Sequence, residues 1–99
     1  MAPNPLTYTV TLIHLREHAH GDCRRCAMAH AIRDDHPYLS DVAVDYDYGG
    51  ESATIEAVYE GERVVWVLSP EAAQWLWTID QHGPDAVPVG TFSADLVEE

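Results

Sequence analysis

The amino-acid sequence predicts an α+β fold: a mainly antiparallel sheet of three to five strands with two helices packed on one face, in the order β-α-β-β-β-α. Three observations carry this reading. Apolar and polar residues alternate over residues 7–13 and again over residues 52–59, the period of a half-buried strand. Ser69-Pro70-Glu71 opens a stripe of apolar residues at helical spacing. An alanine-rich stretch lies between Asp22 and His36-Pro37. Two helices covering one face of the sheet is the simplest arrangement that buries all of these stripes.

The first strand takes residues 7–13, with Tyr8, Val10 and Leu12 on one face and threonines on the other. Residues 15–21 are polar and read as a loop. Asp22 stands where an N-cap belongs, so residues 23–35 read as a helix. It stops at His36, because the residue before proline avoids helical geometry. Residues 42–46 form a second strand, broken by Gly49-Gly50. Residues 52–59 and 63–68 pair as a hairpin around Glu60-Gly61.

The last helix has a hydroxyl cap, proline at its first position and a carboxylate near its positive end. Ala72, Trp75, Leu76 and Ile79 bury one face, and Gly83-Pro84 closes it. Residues around Val89 and Phe92 add a short edge segment before an acidic tail. Trp66 and Trp75 belong to the strand-to-helix core, whereas Trp77 is the tryptophan expected to stay exposed. The whole chain, 1–99, reads as one domain with loose ends at 1–5 and 94–99.

Composition narrows the function. With 46% hydrophobic residues the chain is not disordered, and no apolar run approaches the ~20 residues of a membrane span. Met1-Ala2-Pro3-Asn4-Pro5 lacks the basic start of a secretory signal, which gives a cytoplasmic expectation with reduced thiols. The net charge is −12, and there is no lysine. Fifteen of the seventeen carboxylates lie in residues 34–99, where Arg63 alone opposes them. Such a field repels phosphates and argues against direct binding of nucleic acid. It suits either simple solubility or a protein partner with a basic surface.

Chemistry-bearing side chains gather in one place. His14, His18, His20, Cys23, Cys26 and His30 fall within seventeen residues. A tetrahedral zinc site needs four ligands, commonly built on a Cys pair. If the helix began at Cys23, then Cys23, Cys26 and His30 would share a face, and His20 would swing in as the fourth ligand. That makes Cys23, Cys26, His20 and His30 the candidate zinc set, although the spacing matches no standard finger. A second reading is a thiol oxidoreductase of the thioredoxin-like kind, with Cys-x2-Cys at a helix N-terminus beside Arg24 and Arg25. No aromatic residue precedes Cys23, and the helix that this fold needs between later strands is missing. A third reading is plain packing of two small thiols. No set of residues composes a catalytic nucleophile with its base. Asp45-x-Asp47-x-Gly49-Gly50-Glu51 falls short of a calcium loop, lacking the distant bidentate glutamate.

Gly21-Asp22-Cys23-x2-Cys26-Ala27-Met28-Ala29-His30-Ala31-Ile32 resembles a motif of small actinobacterial and actinobacteriophage proteins that carry no assigned activity. The resemblance continues through Leu68-Ser69-Pro70-Glu71-Ala72, Ile79-Asp80, Val87-Pro88 and Phe92, covering about residues 10–96. Ala27 departs from the proline of that pattern, and His30 from its apolar residue. The resemblance implies an actinophage or actinobacterial origin and brings no activity to carry over. The acidic segment and the lack of a complete catalytic set give the expectation of a non-enzymatic protein, phage- or mobile-element-encoded. The leading expectation is therefore a small acidic accessory protein that binds a host or phage protein. A zinc-stabilised domain and a thiol oxidoreductase are the alternatives.

Overall fold

The first strand ends earlier than its alternation suggests. In the computed structural model, which describes residues 2–47 and 51–97, β1 is Leu6–Val10 and a short helix, α1, follows at Leu12–Glu17. The next elements are α2 (Ala27–Asp35), β2 (Ser40–Tyr46), β3 (Ala53–Tyr59) and β4 (Glu62–Leu68). Then come α3 (Pro70–His82), a 3-10 turn at Pro84–Ala86 and β5 (Gly90–Leu96). The expected α+β class and antiparallel sheet are present, with α1 as an addition. Gly49, Gly50 and the last two acidic residues lie outside the described residues.

All pairings are antiparallel, in the order β1-β5-β4-β3-β2. The β3–β4 hairpin turns at Glu60 and Gly61, whose φ values of 51° and 82° are those that a tight two-residue turn demands. β5 is a full strand, not a short segment. Described residues within the ends expected to be loose are tied in: Ala94 is buried, and the Leu96 N–H donates to Asn4 Oδ1 at 3.3 Å. β4 and β5 share the shortest ladder, from Trp66↔Leu96 to Leu68↔Ala94.

The sheet curls, and α2 touches both edge strands, β1 and β2. Residues flanking α2 satisfy the outward backbone of each edge. The Thr9 N–H donates to Asp35 Oδ2 at 2.8 Å, and His36 Nε2 bonds the Thr7 carbonyl at 2.7 Å. On the other edge the Val44 N–H donates to the Cys23 carbonyl at 2.8 Å. Exposed edges invite pairing with foreign strands, and here these groups are occupied from within.

The core fills the concave side. Leu6, Tyr8, Val10, Ile55 and Trp66 meet Met28 and Ile32 of α2 and Leu76 and Ile79 of α3. The tryptophans keep their polar edges satisfied: Trp66 Nε1 donates to the Pro3 carbonyl and Trp75 Nε1 to the Pro88 carbonyl. Trp77 is half-buried, edge-on to His82. α3 starts as its sequence predicts, with Ser69 Oγ accepting from the Ala72 N–H.

Candidate functional site

Gly21 sits at φ +71°, a conformation that favours glycine, and turns the chain after α1. Asp22 then folds the loop on itself: its carbonyl accepts the Arg25 N–H, and its Oδ1 accepts the Arg24 N–H. The loop therefore ends at Cys26, and α2 begins at Ala27. Asp22 is not the cap. Cys26 takes that role, its Sγ accepting the Ala29 N–H at 3.4 Å. Cys23 is exposed and Cys26 buried. Burial pushes the Cys26 thiol up to about 11; the N–H groups of Ala29 and Met28 oppose this, and the charges of Asp80 and Cys23 add to it.

Beside the cysteines lies a buried polar network. His18, the C-cap of α1, accepts the Ala27 N–H on Nδ1 at 3.0 Å. Nδ1 must therefore be unprotonated, so Nε2 carries the hydrogen and donates to Asp80 Oδ1 at 2.7 Å. The Tyr46 hydroxyl donates to Asp80 Oδ2. Partial burial, and next this bond to the carboxylate, push the Tyr46 phenol up to about 12. His20 is exposed, its Nδ1 3.7 Å from Asp80 Oδ1. Cys23, Cys26, Val44, Tyr46, Leu76 and Asp80 line a pocket of about 290 Å³.

The structure separates the expected zinc set. The shared helical face required Cys23, Cys26 and His30 to lie in one helix, and of these only His30 does. His30 Nδ1 faces Arg33 Nη2 at 3.0 Å, on a surface formed with Arg24 and Arg25 and away from the cysteine pocket. His20 is not among the residues that line the pocket. Among the described residues no three His, Cys, Asp or Glu side chains group as metal ligands. Three of the six histidines act as struts. His14, like His18, accepts a backbone N–H on Nδ1 (that of Thr11) and places Nε2 against a carboxylate, Asp34, at 2.6 Å. His36 spans the Tyr38 hydroxyl and the Thr7 carbonyl.

No protein-family model, curated protein or solved structure matches this chain.

Asp80 and Tyr46 were not singled out by sequence, although Asp80 left a signal. It follows Leu76 by four residues, a carboxylate placed on the buried face of a helix.

A second surface is the convex side of the sheet, which no helix covers among the described residues. Register puts Asp95, Val67, Thr54 and Asp45 in one row across four strands, with Val65, Glu56 and Ala43 in the next. Val67 is 43% exposed. Arg63, in the row beyond beside Val58, pairs with Glu56 at 3.2 Å. Among the described residues no helix is long and apolar enough to cross a membrane.

Proposed function

We propose that this protein is a small acidic accessory protein that binds a host or phage protein of basic surface through the convex face of its sheet. The supporting observation is the row Asp95–Val67–Thr54–Asp45 with Val65 and Glu56 beside it. It sets exposed Val67 and half-buried Val65 among carboxylates, and the nearby Arg63 is already engaged by Glu56. Apolar side chains ringed by charge of one sign suit a partner of the opposite sign, where burial supplies affinity and charge supplies rate and selectivity. The charge of −12 disfavours direct contact with nucleic acid, although a protein that grips DNA has the required basic surface. In this reading the chain is encoded by a phage or mobile element of actinobacteria and works in the host cytoplasm.

Affinity capture from actinobacterial lysate tests it, with wild-type protein beside a Asp45→Lys, Val67→Lys, Asp95→Lys variant. The expected result is a partner that is retained at moderate salt, released at high salt and lost with the variant. Capture of nothing above background, or equal capture by the variant, overturns the assignment.

A further inference from the structure

We propose that Cys23 and Cys26 form a dithiol–disulfide exchange site, with Cys23 as the attacking thiol and Cys26 as the resolving thiol, acting on small disulfides. The two sulfurs differ in access yet line one pocket. Cys23 is open to solvent, and its carbonyl is pinned by the Val44 N–H of β2, which fixes the residue against the sheet. Cys26 is shielded at the helix start, with Asp80 lining the same cavity. Asp22 and Asp45 line the same pocket, whereas Arg24 and Arg25 belong to the separate surface around His30.

The reaction balances without a cofactor. The Cys23 thiolate attacks one substrate sulfur, the substrate S–S bond breaks, and the first thiol leaves with a solvent proton. Cys26 releases its proton to solvent through the pocket, and its sulfur attacks Cys23. The Cys23–Cys26 disulfide forms as the second thiol departs and takes up a solvent proton. Two electrons have then passed from the Cys pair to the substrate. The division of labour follows from ionisation. A thiol pushed from 9.0 up to about 11 holds roughly a hundredth of the thiolate it would otherwise have at neutral pH, so Cys26 is a poor first attacker. This inference does not depend on the convex face binding a partner.

The test is intact-mass kinetics of the reduced full chain with glutathione disulfide at neutral pH. Wild-type protein is expected to lose two hydrogens without retaining an adduct. Cys26→Ser, which keeps a cap at the helix start, should stop at one glutathione on Cys23. Cys23→Ser should react at least about tenfold more slowly. Melting curves establish that each variant is folded. The proposal is overturned if wild-type protein keeps a stable adduct, or if Cys23→Ser reacts as fast as wild type. A peptide of residues 21–28 matching the folded chain in rate, or tightly held zinc that blocks the thiols until chelation, overturns it equally.

Discussion

His18 and Asp80 form a buried pair, 4% and 6% exposed, in which one imidazole joins the first turn of α2 to the last turns of α3. The ring is held in a single tautomer because the Ala27 N–H claims Nδ1. Replacing His18 with alanine strips an acceptor from Ala27 and a donor from a buried carboxylate. The expected loss is about 2–4 kcal/mol, read as a lower urea midpoint with unchanged slope.

The buried Cys26 thiol makes stability depend on alkaline pH. The folded chain keeps this proton to higher pH than the unfolded chain does. The stabilisation is therefore complete below about pH 9 and is lost as pH rises through about 11. A shift of this size corresponds to about 2–3 kcal/mol. Melting temperature should be flat up to about pH 9 and then fall, and Cys26→Ser should flatten the part of the fall that precedes tyrosine ionisation. An identical alkaline profile in that variant would refute the assignment.

Residues 11–13 distinguish a helix from a longer strand. In α1, Leu12 and Ile13 are 62% and 63% exposed, while Leu15 is buried. Leu12→Glu should then change stability by no more than about 0.5 kcal/mol, whereas Leu15→Ala should cost about 2–4 kcal/mol. A strand running to residue 13 predicts the larger cost at Leu12.

These residues also show where sequence reading stops. The β3–β4 hairpin and α3 were legible because Glu60-Gly61 and Ser69-Pro70-Glu71 are local signals that tertiary structure had no cause to override. α1 was not legible. Its glutamate-like partner for Thr11 is a histidine ring, and its exposed Leu12 and Ile13 extend a strand-like alternation by chance. The cysteine motif was visible but its geometry was not, since the Asp22 turn postpones the helix to Ala27. Asp80 and Tyr46 reach the pocket from α3 and β2, and such convergence has no signature in local spacing.

Asp35 and His36 guard the outer edge of β1 through bonds to Thr9 and Thr7. An Asp35→Ala, His36→Ala variant frees that edge for another chain. It should show concentration-dependent association in light scattering, with wild-type protein unchanged over the same range. A strictly monomeric variant would mean that the edge is protected by other means.

The short β4–β5 ladder divides the sheet into a β1–β5 ribbon and a β2–β3–β4 leaf, with α2 fastened to both. Such a construction concentrates subglobal opening along one seam: the ribbon and the leaf are the natural cooperative units, and α2 is the clasp between them. Amide protons of β3 should then exchange only through global unfolding, while those of β1 and β5 exchange together at lower free energy. Because Cys26 and His18 hold the first turn of the clasp, chemistry at the pocket would be felt as a change in how readily the seam parts.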